Sequence, residues 1–511
     1  MQHGLFGRTD KPSQVASILE QCHELHIRWA ALDDHSIPAP FASRLPSGLH
    51  IFFTPLKAGE EVNLCPLIHQ LFGSELKCDS TTESFTRPSQ LSETFSSSAS
   101  YQYYHVLPSL ENFNRYLQAN ACRTDLKTRI ACENEAEFAT YAASVDIDFD
   151  AISHTVDLSA LWSADKDALF QRPGSGITDR AVVKYRENHR VEVGVLQNEP
   201  VKEVEELSLG GYLAVLGEHE KPSMLSPLIT IYESFKTADN LLQSTGATMF
   251  SFPSRHHPLP APTSQKLSFA ATFQQPTGLH PKLDLTFPAN SLTPPQPSCA
   301  LHAYLTLPSA LFIDRYQFSD PLSLSSQSLI ALRALSGSQD LEAPDWVIPA
   351  WGSAALFELA HPKVPTDADE TSTWTATIPT HLRYVKPSNA SSSSESQSTL
   401  SIPAPVVFWA CNADEGAKFN VNPFDRVNLG YDGLFGTKTM FYHVPPAPAM
   451  AEVGSGHGLM LDLNVPVLDS KFAGWVPMAT LAVVLAGFGW VVLKLVGGGG
   501  AKKEAEAKKK Q

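Results

Sequence analysis

Through the first 265 residues, short apolar runs alternate with polar turns. LHIFFTPL (Leu49 to Leu56), VEVGVL (Val191 to Leu196) and YLAVLG (Tyr212 to Gly217) are short and predict strands. SQVASILEQCHELHIRWAAL and NEAEFATYAASV place apolar residues at helical spacing and predict short helices. SETFSSSAS is a low-complexity loop. Residues 1–251 therefore read as a region of mixed α/β character. FPSRHHPLPAPTSQ then marks a Pro-rich linker over 252–265, because Pro253, Pro258, Pro260 and Pro262 remove ladder donors and stiffen the chain. Beyond it come LSFAATF, KLDLTF, ALHAYLTL, TWTATI, HLRYV and PVVFWA, with turns at short intervals. This succession predicts a β domain over 266–453, antiparallel and sandwich-like. LSLSSQSLIALRAL predicts a helix inserted among these strands. The fold class expected is mainly β, with one C-terminal transmembrane helix.

That helix is predicted over 472–496, after a juxtamembrane linker at 454–471. Phe472 to Leu493 holds no charged residue over 22 positions. As a helix this run is about 33 Å long, against a hydrocarbon core of about 30 Å. Trp475 and Trp490 stand near its ends, where indoles favour the interface, and Lys494 can snorkel outward. Ala482, Ala486, Gly487 and Gly489 form a small-residue surface suited to close helix packing. Gly497 to Gly500 break away into a Lys-rich tail, 497–511, which the positive-inside rule puts in the cytosol. The start, MQHGLFGRTDKPSQ, lacks the apolar core of a cleavable signal peptide. Charge thus favours a lumenal bulk, and the missing signal favours a tail-anchored protein with a cytosolic bulk.

Composition narrows the function classes. The chain has 511 residues and a net charge of −15. Without Lys494 and the tail it has 32 basic and 51 acidic residues, or −19. Nucleic acid, which is bound by neutralising phosphates, is an unsuitable partner for so acidic a domain. Seven cysteines (Cys22, Cys65, Cys78, Cys122, Cys132, Cys299 and Cys411) include no C-x-x-C pair, which argues against structural zinc. Their odd count fits either a reducing compartment or a few disulfides plus a thiol. Asn389-Ala390-Ser391 is a glycosylation acceptor in a Ser-rich loop.

Candidate chemistry is sparse. DIDFD overlaps two D-x-D patterns, Asp146, Asp148 and Asp150, and TDADE adds Asp367 and Asp369. Paired carboxylates can hold a divalent cation, as in many glycosyltransferases. Alternation with Ile147 and Phe149 favours an amphipathic strand with one wet face. In RHHP the adjacent His256 and His257 point apart on an extended chain, against a metal site. HELH (His23, Glu24, His26) is not H-E-x-x-H and reads as a surface turn of helix. GSGHG (Gly454 to Gly458) lacks the strand-to-helix context of a phosphate loop and reads as linker. Neither a nucleophile elbow nor a Walker loop occurs. No cofactor is expected.

A series of longer motifs is more specific. LHAYLTLPSALFIDRYQFSD (Leu301 to Asp320), HLRYVKP (His381 to Pro387), APVVFWAC (Ala404 to Cys411) and NPFDRVNLGYDGLFGTKTMFYHV (Asn422 to Val444) follow in order. LNVPVLDSKFAGWV then precedes the span. The succession resembles the PIG-X family of GPI-anchor biosynthesis, over about residues 300 to 496. EELSLGGYLAVLGEHEKPS (Glu205 to Ser223) and FSFPSRHH (Phe250 to His257) resemble its fungal branch, the protease B non-derepressible proteins.

The resemblance implies an endoplasmic reticulum membrane protein with a lumenal bulk, one span and a cytosolic C-terminus. It implies a non-catalytic, stabilising subunit of GPI mannosyltransferase I, which adds the first mannose to the GPI precursor. The implied partner is a multi-spanning PIG-M-type catalytic subunit. A general endoplasmic reticulum folding factor is the alternative. No catalytic, metal or cofactor residue carries over. The candidate partner-contact motifs are Asp314, Arg315 and Tyr316, and Asp425, Arg426, Tyr431 and Asp432. Lys508 and Lys509, near the C-terminus, resemble a dilysine retrieval signal.

Overall fold

The computed structural model describes residues 21–30, 44–57, 62–91, 100–120, 144–150, 155–161, 180–186, 190–196, 211–217, 246–252, 255–259, 267–361, 372–387, 397–412, 428–447, 450, 459–472 and 474–507. Asn389, Asp425, Arg426, Lys508, Lys509, TDADE and GSGHG lie outside the described residues, as does most of NEAEFATYAASV.

The N-terminal strands are β1 (Cys22–Ala30), β2 (Gly48–Pro55), β3 (Ser89–Gln90), β4 (Tyr101–His105), β5 (Ser144–Asp150) and β6 (Thr155–Leu161). Two hairpins follow, β7 (Arg180–Arg186) with β8 (Arg190–Leu196), and β9 (Gly211–Gly217) with β10 (Gly246–Phe252). Next come β11 (His256–Pro258), β12 (Ala270–Phe273), β13 (Lys282–Pro288), β14 (Ala300–Pro308), β15 (Leu311–Phe312), β16 (Leu329–Gly337) and β17 (Gly352–Leu359). The last are β18 (Thr373–Pro379), β19 (His381–Leu382), β20 (Gln397–Pro403), β21 (Val406–Asn412), β22 (Thr439–Val444) and β23 (Met460–Pro466).

One sheet has five strands in the order β4-β2-β1-β5-β6 and another has seven in the order β11-β22-β21-β14-β17-β16-β3. Pairing is antiparallel except at the β11–β22 edge. A three-stranded sheet, β12-β13-β18, and the β20–β23 pair complete the stack.

The period-2 pattern accounts for the layering. On β1, Leu25, Ile27 and Trp29 face an apolar core with Leu49, Ile51 and Phe53 of β2. The helices Cys65–Phe72 and Glu111–Asn120 close that core through Leu67, Ile68, Leu71, Phe72 and Phe113. Trp29 meets Phe113 edge-on at 4.9 Å. The opposite face of the five-stranded sheet carries Phe52, which packs with Tyr304, Leu356, Phe408 and Tyr431 beside the seven-stranded sheet. On β14, Leu301, Ala303, Leu305 and Leu307 face the other way, toward Leu283, Leu285 and Phe287 of β13.

Several expectations change. HELHIRW is a central strand, not a helix: β1 pairs with β2 on one side and β5 on the other. Both partners satisfy its backbone groups, and helical spacing over so short a segment cannot compete with two ladders. Among the described residues of the N-terminal region, the helices lie at 65–72, 81–84 and 111–120. LSLSSQSLIALRAL divides into a short helix, Pro321–Ser326, capped by Asp320, and strand β16. ALHAYLTL is buried on both faces rather than one, because a second sheet covers it. The segment 252–265 contains β11, which pairs with β22. A proline at the end of so short an edge strand leaves the pairing of His256 and His257 intact.

The C-terminal helix, Trp475–Ala507, continues through Gly497 to Gly500 instead of breaking there. Each glycine costs about 1 kcal/mol relative to alanine, which does not amount to a stop signal. Trp475–Val496 is apolar enough to cross a membrane, and its side chains are exposed rather than packed. A core helix of a soluble protein would be buried, so this arrangement fits a single-pass membrane protein.

Candidate functional site

Between the five- and seven-stranded sheets lies a buried polar layer. On β1, His26 and Arg28 alternate with the core residues and therefore share the face opposite them. On β5, Asp146 and Asp148 are likewise two apart. The register places Arg28 opposite Asp146 and His26 opposite Asp148. Two spacings of opposite charge thus meet across the strands. Arg28 Nη2 donates to Asp148 Oδ1 at 2.8 Å, and its Nε lies 3.3 Å from Asp146 Oδ1. Arg28 Nη1 donates to the carbonyl of Asn428 at 2.5 Å, joining the cluster to a loop beside the other sheet. His26 Nδ1 is 2.6 Å from Asp148 Oδ1.

Burial resists ionisation of Asp148, but Arg28 and His26 outweigh it and bring the carboxyl down to about 2. Burial likewise disfavours charged His26, yet Asp148 holds its pKa above the ordinary value. The DIDFD strand is therefore ion-paired rather than simply wet, and His26 is buried rather than on a helix surface. A cation bound at Asp146 and Asp148 would have to displace Arg28.

The loop Asn428 to Phe435 forms the facing side. Gly430 has φ +85°, and a Cβ there would come within 2.7 Å of Phe52, so this crossing requires glycine. Tyr431 is fully buried, stacks on Phe408 at 4.7 Å and donates to the carbonyl of Arg44 at 2.8 Å. Asp432 accepts from the amides of Leu429 (3.0 Å) and Gly433 (3.1 Å), with His256 Nε2 3.7 Å away. Burial works against charged Asp432, but His256 and Arg255 keep its pKa below the ordinary value. His256 stacks on Phe441 and lies 3.1 Å from His443. His257 stacks on Tyr442, so the two histidines do point apart. Arg255 donates to the carbonyls of Thr439, Asp432 and Gly436. Elsewhere in the layer Gln102 accepts from Tyr304 and donates to Ser336 Oγ, both at 3.0 Å.

This layer joins two sheets. Among the described residues no group of three or more His, Cys, Asp or Glu side chains could hold a metal ion. The layer's charges are matched internally, which is the condition for burying them.

The other predicted contacts separate into two environments. Asp314, Arg315 and Tyr316 are on the surface: Arg315 lies over the Tyr316 ring at 4.8 Å, and Asp314 accepts from the Tyr316 amide. Tyr316 is 63% exposed. Tyr431 and Asp432, expected to meet a partner, present almost no surface and serve the internal layer instead. Sequence reasoning missed Arg28 in that layer, and weighed His256 only as a metal ligand. The signal for Arg28 was the matching spacing of H-x-R and D-x-D.

Two disulfides occur among the described residues. Cys65–Cys78 ties the helix Cys65–Phe72 to the loop after it, and Cys299–Cys411 joins the start of β14 to β21.

A family model described as PIG-X / PBN1 matches residues 276–496. Protein pbn1 of Emericella nidulans is 42% identical, covering 96% of this chain and 88% of the relative. The chain belongs to the PIG-X / PBN1 family. Protein pbn1 of Neurospora crassa is 37% identical, with coverage of 95% and 86%. Protein PBN1 of Yarrowia lipolytica is 26% identical, with coverage of 97% and 90%. PIG-X / PBN1 proteins are accessory proteins related to GPI-anchor biosynthesis. The matched region includes Tyr431, Asp432 and His443, whereas Arg28, Asp148 and His256 precede it. The buried layer thus joins the PIG-X / PBN1 segment to the part of the chain outside it.

Proposed function

We propose that this protein is the non-catalytic, stabilising subunit of GPI mannosyltransferase I in the endoplasmic reticulum membrane. Its partner is a PIG-M-type catalytic subunit, which adds the first mannose to the GPI precursor. Whole-length similarity to PBN1 proteins carries the reading. In this reading the β stack is lumenal, the helix Trp475–Val496 spans the bilayer, and the Lys-rich end is cytosolic. Disulfides support that side, since they persist in oxidising compartments. The exposed Asp314-Arg315-Tyr316 loop is the candidate contact with the catalytic subunit, Asn389 a glycosylation site, and Lys508 and Lys509 a retrieval signal.

Depletion tests the reading. The catalytic subunit should fall in level and unmannosylated GPI precursors should accumulate; a normal precursor profile would overturn it. Intact microsomes should protect the bulk of the chain from protease and leave only the tail accessible. Purification in mild detergent should recover one multi-spanning protein in stoichiometric amount, whereas many clients at low yield would favour a general folding factor.

A further inference from the structure

The chain leaves the β stack at Pro466, the end of β23, and enters the apolar helix at Trp475. The eight residues between (467–474) can reach no more than about 29 Å when fully extended. Part of this tether is coiled into a 3-10 turn, Ser470–Phe472, which shortens it further. The side of the stack around Pro466 must therefore stay near the mouth of the span.

That side is knitted from four loops. Thr277 Oγ1 donates to the carbonyl of Asn464 at 2.9 Å, two residues before the exit. The Leu382 amide donates to Leu279 O, and His381 Nε2 lies 3.2 Å from Gln317 Oε1. Arg383 donates to the carbonyls of Ser338, Asp340 and Ala343, and the Asp345 amide donates to Tyr384 O. These links tie the segments 277–281, 314–317, 338–347 and 381–386 to one another, and Thr277 ties the group to the exit strand.

Each of these loops displays a large apolar side chain. Leu279, Tyr316, Leu341, Trp346, Val347 and Tyr384 are between 47% and 68% exposed. They come from four separate stretches of sequence, so no single hydrophobic run accounts for them. Exposed aromatics gathered on one side, rather than scattered singly, mark an interaction surface. Tyrosine and tryptophan are also the residues favoured at a bilayer interface. Within the tether, Leu468 and Phe472 are exposed as well and continue the surface toward Trp475. The charges here are mixed: Asp314, Asp340, Glu342 and Asp345 stand beside Arg315, Arg383 and Lys386. That balance gives anionic headgroups no advantage and suits a zwitterionic surface.

We infer that this side of the β stack rests on the bilayer, with Trp346, Val347 and Tyr384 seated in the headgroup region of a zwitterionic leaflet and the Asp314-Arg315-Tyr316 loop left free beside them for a protein partner. The inference rests on the reading of Trp475–Val496 as a span. It goes further in assigning the β stack an orientation, with these loops turned toward the membrane.

The test uses the full chain in phosphatidylcholine vesicles, with benzoylphenylalanine placed singly at Val347, Tyr384 or, as a reference far from these loops, Lys438. Resistance of the membrane-external part to protease confirms folding, and carbonate extraction reports the span independently. Lipid adducts at 347 and 384 are expected at about fivefold or more over position 438. Adducts no stronger than at 438, in a chain that resists carbonate extraction, would overturn the inference while leaving the span intact. The same variants in microsomes should again give lipid adducts; adducts to protein alone would show a protein-docking face and also overturn it. Two labelled positions guard against loss of folding at either one.

Discussion

The five-stranded and seven-stranded sheets both rely on a disulfide and an aromatic core, but at different ranges. Cys65–Cys78 closes a separation of 13 residues beneath the N-terminal sheet. Cys299–Cys411 spans 112 and fastens β14 to β21 in the middle of the larger sheet. The first bond holds a local helix and loop, and the second closes about half of the PIG-X / PBN1 segment. Contact between the sheets is of a mixed kind, with ion pairs and buried histidines set beside the aromatic cluster of Phe52, Tyr304, Phe408 and Tyr431, whereas each sheet's own core is apolar. An apolar contact tolerates sliding, whereas Arg28 between Asp146, Asp148 and Asn428 O admits one register.

The largest effect should come from the long-range bond. Loop-closure entropy predicts a loss of about 5 kcal/mol for Cys299→Ala/Cys411→Ala and about 3 kcal/mol for Cys65→Ala/Cys78→Ala. Urea unfolding of the full chain in detergent, followed by tryptophan fluorescence, should rank the two variants in that order. Equal midpoints would mean that the two regions do not differ as described.

Removing the ionic contact should be nearly as costly. Arg28→Ala leaves Asp148 without its guanidinium, and such a break costs about 3 kcal/mol when some solvent still reaches the acids. Arg28→Ala/Asp148→Ala should be less damaging than the two single losses added together, by roughly 1 to 2 kcal/mol in a double-mutant cycle. Strict additivity would count against a functioning pair.

Acid should act on the same layer. Burial brings His50 down to about 4, with Arg28 reinforcing it against a bond to the Pro46 carbonyl. Burial brings His302 to about 3, with Arg333 adding to the shift against the Ala300 carbonyl. Both folded values are below the unfolded value of about 6.5, so only the unfolded chain takes up these protons as pH falls. Their contribution is complete above about pH 6.5 and declines toward pH 4, by roughly 2 kcal/mol per histidine at pH 5. Asp148 acts in a lower window: its contribution is present above an unfolded pKa of about 3.9 and is lost as pH falls toward 2. His26, whose folded pKa is raised, gains stability over the same range and offsets part of this loss. The two depressed histidines outweigh it, so unfolding midpoints measured from pH 7.5 to 4.5 should fall, and less steeply in His302→Gln. A flat profile would remove the histidines from the account.

The smallest effect on stability belongs to the exposed loop. Tyr316→Ala should change the unfolding free energy by no more than about 0.5 kcal/mol, as expected of a surface site. It should nevertheless reduce recovery of the catalytic subunit in mild detergent; undiminished recovery would remove Tyr316 from the proposed contact.

Some of this arrangement could be read in the chain beforehand. KLDLTF became β13 with one apolar face, as its alternation requires. DIDFD became a strand with its acids on one side, but its cationic partners lie some 120 residues away. Tyr431 and Asp432 show the limit from the other direction. Polar residues in a Gly-rich loop suggest surface, and only the second sheet lying across Gly430 and Tyr431 removes them from it.

By itself the sequence determined the β-rich class, the apolar helix with its tryptophans and the family to which the chain belongs. These depend on residue order, on side-chain periods of 2 and 3.6, and on the length of an uncharged run, all of which are local. The tertiary structure alone decided that HELHIRW is a strand, that ALHAYLTL is covered on both faces, which cysteines pair, and that His26 and Arg28 meet Asp146 and Asp148. Each of these depends on which distant segment supplies the second ladder, the second layer, the second sulfur or the opposite charge. A window of neighbouring residues holds only half of each such pair.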